Sequence, residues 1–354
     1  MKILTVVGAR PQFIKAGILS QELQKYKSIQ EIIIHTGQHY NSNMSDIFFK
    51  EMGIKRADYH LGVGGKRHGE MIGDMIKGIE KIIIKEKPNI ILLYGDTNST
   101  LAGALVASKL HIPIAHIEAG LRSFNIKMAE EINRILTDRV SRWLFCPTKR
   151  AMENLEREGF KNFNCKIIES GDIMYDGTLL YKRYAKKPKS IEIKENFILC
   201  TIHRAENTDS AERLIDIFQA LQEIAEEIQI ILPLHPRTEK IIKYLNIDIK
   251  NITLIEPIGY LQMLWLLQKS RLVITDSGGL QKEAFFLKKR CITLRDETEW
   301  IELIDEGVNI LTGADRENIL NGYREILNRE LKFNRNLYGR GDASKIIVEE
   351  LLNG

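Results

Sequence analysis

The chain has 354 residues, 44 % of them apolar, and a formal net charge of +4 that is spread along its length. That is material for two domains of ordinary size, and scattered charge argues against a nucleic-acid surface while leaving an anionic small molecule as a compatible partner. There is no leader of basic, apolar and small-residue regions and no apolar run long enough to span a bilayer, so a soluble, cytoplasmic protein without a membrane partner is expected.

In chain order, short β-branched runs alternate with helical patterns. "KILTVVGAR", "EIIIHTGQ", "NIILLYGDT" and "IPIAHIEAG" occupy the first half, and "NFILCTIHR", "IQIILPLHP", "RLVITDSGG" and "RCITLRD" the second. This alternation predicts an α/β fold built on parallel sheets with helices on both faces. Between the runs, "GEMIGDMIKGIEKIIIKEK" and "AERLIDIFQALQEIAEEI" carry apolar residues at three- and four-residue spacing, with Asp209 and Ser210 as candidate caps for the second. The sharpest break in composition, the basic stretch 181–196 with Pro188, reads as the linker. Residues 1–183 then form one domain and 184–338 another, and the final pattern 339–354 is expected to pack back on the first.

Open α/β sheets bind ligands at the carboxyl ends of their strands, and polar residues gather there. Arg10 and Lys15 flank the first strand-to-helix turn, with Pro11 near the first helical position, and both cations are placed to reach a phosphate. Gln38 and His39 follow the second strand. Asp96 follows "NIILLYG" and Glu118 follows "IPIAHI", each where a buried strand would emerge. A carboxylate at such a depth is pushed towards holding its proton unless cations compensate, which suits proton transfer near neutrality. Asp96 reads equally well as a turn or N-cap residue, whereas a helix-favouring Glu has little structural reason to end a strand. His203 ends "FILCTIHR" and, like His35, His39, His111, His116 and His235, reads as structural as readily as catalytic.

The clearest anion signal is "TDSGGLQKEA". With a strand ending at Thr275 and a helix starting near Leu280, backbone N–H groups around Ser277, Gly278 and Gly279 and the helix dipole would point at a diphosphate. The pattern is neither a Walker loop nor GxGxxG, so ATP or NAD is not implied. The structural alternative is a tight turn that uses glycine for its backbone angles. Glu283, one turn into that helix, can accept from ribose hydroxyls or remain a solvated carboxylate. "YLQMLWLLQKS" has the spacing of a core helix, with a base resting near Met263 as a secondary expectation. The four cysteines, Cys146, Cys165, Cys200 and Cys291, stand singly, no histidine pair has metal spacing, and no required metal is expected.

Taken together, "GARPQFIK", "TGQH", "GDTNST", "HIEAGLRS", "EEINR", "HRAEN", "LPLHPRT" and "TDSGGLQKEA" resemble the non-hydrolysing UDP-N-acetylglucosamine 2-epimerase family over essentially the whole chain. The resemblance implies two Rossmann-like domains facing across a cleft in the GT-B arrangement, a homodimer, and reversible inversion at carbon 2 of a UDP-linked 2-acetamido sugar with no cofactor, neither NAD nor metal. By motif position it implies catalytic roles for Asp96, Glu118, Glu130 and His203. Nucleotide and phosphate contacts would fall on Arg10, Lys15, Ser277, Gly278, Gly279 and Glu283, and Gln38 with His39 on the element tied to a second, activating UDP-sugar.

Two departures stand out: Ala129 where the UDP-N-acetylglucosamine branch commonly has Pro, and Trp300 where it commonly has Arg. "SFNIKMAEEINRILTD", "HRAENTD" and "LRDETEWIEL" look more like the branch acting on UDP-2,3-diacetamido-2,3-dideoxy-glucuronate. Arg122, Lys127 and Arg134 are the candidate partners for a uronate carboxylate, or else structural charge. UDP-N-acetylglucosamine as substrate, a hydrolysing 2-epimerase, a GT-B glycosyltransferase and a non-catalytic nucleotide-sugar sensor stay open as alternatives.

Overall fold

The structure, a computed structural model, describes residues 1–38, 55–189, 191–234, 236–333 and 336–354, without the side chains of Arg10, Pro236 and Arg237. His39 and His235 lie outside the described residues. The chain divides into two units, Met1–Leu179 with Asn336–Gly354, and Leu180–Arg335.

Among the described residues, the first unit holds β1 (Lys2–Val7), β2 (Gln30–His35), β3 (Tyr59–His60), β4 (Ile90–Tyr94), β5 (Ile114–Ile117), β6 (Trp143–Cys146) and β7 (Lys166–Glu169). They form one parallel sheet in the order β3-β2-β1-β4-β5-β6-β7. β4, β5 and β6 are buried along their whole length, which is why their sequences are unbroken apolar runs rather than alternating ones. Over one face lies the helix His68–Glu86, whose buried Met71, Met75, Ile79, Ile82 and Ile83 follow helical spacing.

The second unit holds β8 (Phe197–Thr201), β9 (Gln229–Pro233), β10 (Ile252–Ile255), β11 (Leu272–Thr275), β12 (Arg290–Thr293) and β13 (Asn309–Leu311). The sheet is again parallel, in the order β10-β9-β8-β11-β12-β13. The two-residue period of a strand sorts its side chains to opposite faces: Ile198, Cys200, Ile230, Leu232 and Ile274 join one core, Phe197, Leu199, Ile231 and Val273 the other. Counted from the first strand of each unit, both sheets share the 3-2-1-4-5-6 order of a Rossmann fold, with strand order reversing between β1 and β4 and between β8 and β11.

Side-chain contacts fix several local details. The basic stretch 181–196 begins at the division between the units and is held to the second one: Gln268 Nε2 donates to Lys182 O at 2.9 Å, and Ile191 and Ile193 pack on that unit's core. Ser210, not Asp209, caps the helix Ala211–Glu227, its hydroxyl accepting from Arg213 N. The helix Ala343–Leu352 is tied to the first unit by Asp176, which accepts from Ala343 N at 3.1 Å and from Ser344 N and Oγ at 2.8 Å. His35 is a core residue, stacked on Phe13 at 4.7 Å between ring centroids. Burial, with the neighbouring His60, pushes its imidazole down to about 4, so the ring is a neutral packing element at neutral pH.

Candidate functional site

The switch points are where polar side chains collect. In the first unit the helix Arg10–Leu23 starts straight after β1, and Gln12 fixes that turn. Its Oε1 accepts from Gly8 N and Ala9 N at 2.8 and 3.1 Å, while Nε2 donates to Tyr94 O at 2.7 Å and Thr97 Oγ1 at 2.9 Å. One buried amide therefore ties the end of β1 to the end of β4. Sequence reasoning passed over Gln12 inside "GARPQFIK"; its only signal was an amide in a mostly apolar helix.

One turn further, Lys15 Nζ and Glu118 Oε2 form a buried ion pair. Lys15, expected at a phosphate, is thus engaged with the carboxylate of its own unit. Glu118 follows β5 directly with φ 71°, a left-handed conformation that costs a non-glycine residue about 1–2 kcal/mol. Backbone strain of this kind persists only where the surroundings hold it, and it concentrates at functional sites.

Asp96 lies half-buried after β4 and accepts from Arg134 Nη2 at 2.7 Å. Burial pushes its carboxyl above the ordinary range, Arg134 and Lys15 pull it down, and the negative charges of Glu118 and Glu130 push it up again. Asp96, Glu118, Glu130, Lys15 and Arg134 consequently form one electrostatic group. Glu130 is exposed in the first turn of the helix Ala129–Val140, whereas Glu131 is buried. Glu131 braces the preceding loop, accepting from Ser123 N, Ser123 Oγ and Phe124 N at 3.0–3.1 Å. Gln38 accepts from Ser99 N at 3.1 Å and Ser99 Oγ at 2.8 Å, so it fastens the start of the helix Asn98–Lys109.

Arg122 is no partner for a substrate carboxylate. It is buried, bonded through Nε and Nη2 to both oxygens of Glu158 at 2.6 and 2.8 Å, and through Nη1 to Asp138 at 2.8 Å. Arg134 is committed to Asp96 and, at 3.3 Å, to Glu131. Lys127 is exposed on the loop before Glu130.

In the second unit, Thr201 and Thr275 end the adjacent strands β8 and β11 with hydroxyls 2.6 Å apart. Asp276, directly beyond, is fully buried and accepts from His203 N at 3.0 Å, Arg204 N at 2.9 Å and Asn207 Nδ2 at 3.3 Å. Its Oδ1 also lies 3.1 Å from His203 Nδ1, whose ring is half exposed. Burial alone would raise this carboxyl; the His203 hydrogen bond and charge and the two backbone N–H groups hold it below the usual range. Asp276 thereby orients His203, a role that nothing in "TDSGG" announced, because its partners are 69 to 73 residues away in the chain.

Ser277 caps the helix Gly278–Phe286, which begins two residues before the expected Leu280. Ser277 and Gly278 are half-buried and Gly279 is exposed, so the turn is accessible from one side. A side chain added at Gly278 would start 3.4 Å from Glu299 Oε1, 3.6 Å from Trp300 Nε1 and 3.8 Å from Arg204 Nη2. Trp300 is therefore beside the turn, and its ring carries Lys282 Nζ at 4.0 Å from the centroid. Glu283 is not solvated: it is buried and accepts from Tyr260 OH at 2.9 Å. Met263 lies in the helix Tyr260–Lys269 and packs on the unit's core.

No group of three or more His, Cys, Asp or Glu side chains with metal-binding placement occurs among the described residues, nor any helix long and apolar enough to cross a membrane. The chain is an α/β protein of two parallel Rossmann-type sheets, one followed by carboxylates and the other by a phosphate-type turn, and the solved structures similar to it are GT-B-like UDP-GlcNAc 2-epimerases. Residues 21–352 match the family described as UDP-N-acetylglucosamine 2-epimerase, and the chain belongs to that family. It is 54 % identical, over 99 % of both chains, to UDP-2,3-diacetamido-2,3-dideoxy-D-glucuronate 2-epimerase of Pseudomonas aeruginosa. Among solved structures, UDP-GlcNAc 2-epimerase of Methanocaldococcus jannaschii in complex with UDP-GlcNAc and UDP is 44 % identical over the full length of both chains, with a TM-score of 0.91. The Neisseria meningitidis UDP-GlcNAc 2-epimerase bound to UDP-GlcNAc is 34 % identical over the same span, with a TM-score of 0.90.

Proposed function

We propose that the chain inverts carbon 2 of UDP-2,3-diacetamido-2,3-dideoxy-glucuronate to give the manno epimer, for the synthesis of surface or glycoprotein glycans. The observation that carries the reaction type is the pair of carboxylates just beyond two adjacent strands, Asp96 bonded to Arg134 and Glu118 to Lys15, with Glu130 adding its charge from the first turn of a helix. The choice of sugar is favoured by the higher identity to the Pseudomonas relative than to the Methanocaldococcus one. UDP-N-acetylglucosamine is the second reading, since identity to that enzyme also runs over the whole chain.

The carbon 2 proton sits beside an acetamido nitrogen, not a carbonyl, so an enolate is unavailable. Instead a carboxylate takes that proton, the C–H electrons form a carbon 1–carbon 2 double bond, and the carbon 1–oxygen bond breaks to release UDP with its electron pair. A carboxyl group then delivers a proton to the opposite face of carbon 2 and UDP re-adds at carbon 1. Asp96, Glu118 and Glu130 carry the proton traffic, and groups poised on both faces account for several carboxylates around one ring.

Ser277, Gly278 and Gly279 receive the diphosphate, with His203 at the leaving phosphate; stabilising this developing charge is often the largest catalytic term. Gln38 and His39 belong to a second UDP-sugar site that activates the enzyme. The protein works in the cytoplasm as a homodimer, and the exposed Ile132, Leu136 and Val140, four residues apart on one helix face, support pairing of two copies. Side-by-side turnover of the two UDP-sugars tests the assignment. The diacetamido-uronate is expected to have the higher kcat/KM by about 100-fold, a difference of roughly 3 kcal/mol; equal or reversed values reject the choice of sugar.

A further inference from the structure

Behind the two acid-bearing turns lies a buried ionic cluster to which the proposed reaction assigns nothing. His116, in the middle of β5 and without exposure, bonds through Nδ1 to Asp138 Oδ1 at 2.6 Å and through Nε2 to Gly95 O at 2.7 Å. Asp138 Oδ2 in turn accepts from Gly120 N at 3.1 Å and Arg122 Nη1 at 2.8 Å, and Arg122 clasps Glu158 with two bonds. Burial alone would raise the Asp138 carboxyl, and His116 and Arg122 hold it below the usual range. Each ring nitrogen of His116 thus faces an oxygen, Asp138 Oδ1 on one side and Gly95 O on the other.

Stability is a poor explanation for such a cluster. A buried ionic network spends most of its attraction on desolvation, and well-packed apolar residues of similar volume commonly serve as well or better. Its contacts are specific, however. Gly95 immediately precedes Asp96, and Gly120 stands two residues after Glu118. Gly95, Glu118 and Gly120 all have left-handed backbone, at φ 62°, 71° and 78°. The network therefore grips both turns on the backbone groups next to the carboxylates, where strain must be held by the surroundings.

We propose that the His116–Asp138 pair, braced by Arg122 and Glu158, is a positioning device that fixes the Asp96 and Glu118 turns relative to each other. His116 and Asp138 touch no substrate and act through the two carboxylates; the inference rests on the reading of Asp96 and Glu118 as the acid–base groups. A misplacement of about 1 Å at a reacting group costs about 100-fold in rate, so the whole effect falls on the chemical step.

The test is His116→Gln, which keeps a polar side chain but cannot bridge both partners, with His116→Phe as the substitute if the first fails to fold. For variants with the parent's circular dichroism, kcat is expected to fall about 10- to 100-fold while KM and UDP affinity stay within about threefold. In a Glu118→Gln background the same substitution should cost less than in the parent, because one of the two groups it positions is already gone. A parent-like kcat, or equal losses in both backgrounds together with weakened UDP binding, overturns the proposal. A second readout is independent of turnover: the ring N–H of His116 in nitrogen-15 spectra of histidine-labelled parent protein should be protected from exchange with solvent. Rapid exchange removes the bridge. A parent protein that epimerises no UDP-2-acetamido sugar but shows that protection refutes the functional reading, not the bridge.

Discussion

Replacing Glu118 with glutamine is expected to lower turnover by about 100- to 10,000-fold while UDP still binds. The amide keeps the size and shape of the side chain but can neither take nor hold the carbon 2 proton. The phosphate-type turn at Ser277–Gly279 belongs to the other unit and keeps its cap and its neighbours.

The same change leaves the buried Lys15 without its partner, and breaking one side of a buried ion pair costs about 3 kcal/mol. A drop in activity alone would therefore be ambiguous. Lys15→Met combined with Glu118→Gln separates the effects: the double variant should recover much of the thermal stability and none of the turnover. Recovery of turnover in the double variant would reduce Glu118 to a structural partner of Lys15. A nucleotide-sugar sensor would show the loss of stability and no catalytic change, since it has no turnover to lose.

The second large effect is structural. Gly120→Ala is expected to destabilise the chain by about 3 kcal/mol or more, read as a shift of the urea midpoint. Gly120 has φ 78°, and an added Cβ would lie 2.3 Å from Ala151 O and 2.8 Å from Ala151 C, both backbone atoms that cannot swing away. Moving the turn to relieve that contact would also pull Gly120 N from Asp138. Gly159→Ala is the control. Its φ is 79°, yet the nearest atom is Asn162 Nδ2 at 3.7 Å, so only the backbone preference is lost, about 1 kcal/mol. Equal losses at the two glycines would mean that the approach to Ala151 relaxes at no cost.

The parts of the site that were legible are those written locally. A strand-end carboxylate at 118, a carboxylate at 96 and a small-residue turn at 277–279 follow from where apolar runs stop. The family match then singled out Glu130 from its neighbour. In the structure Glu130 is exposed beside the cluster, while Glu131 holds the loop backbone, a distinction that two adjacent Glu residues do not reveal in one dimension. Asp138 and Asp276 were illegible for the same physical reason. Each is defined by partners brought to it by the sheet, His116 and Gly120 in one case and His203 in the other, and neither stands at a motif position that marks chemistry.

Arg122 takes the structural one of its two readings, bonded to Leu121 O and to Glu158 and Asp138, two partners that the one-dimensional sequence does not place beside it. Within the basic stretch 181–196, composition records charge and not the packing of its two isoleucines on the second unit's core.

The central claim is elimination and re-addition of UDP at a sugar whose carbon 2 proton is exchanged with solvent. Incubating the purified chain with UDP-2,3-diacetamido-2,3-dideoxy-glucuronate in deuterated water tests it directly. The account predicts a manno product carrying deuterium at carbon 2 and still linked to UDP. A manno product that retains the original hydrogen at carbon 2, or one released as the free sugar, would contradict it.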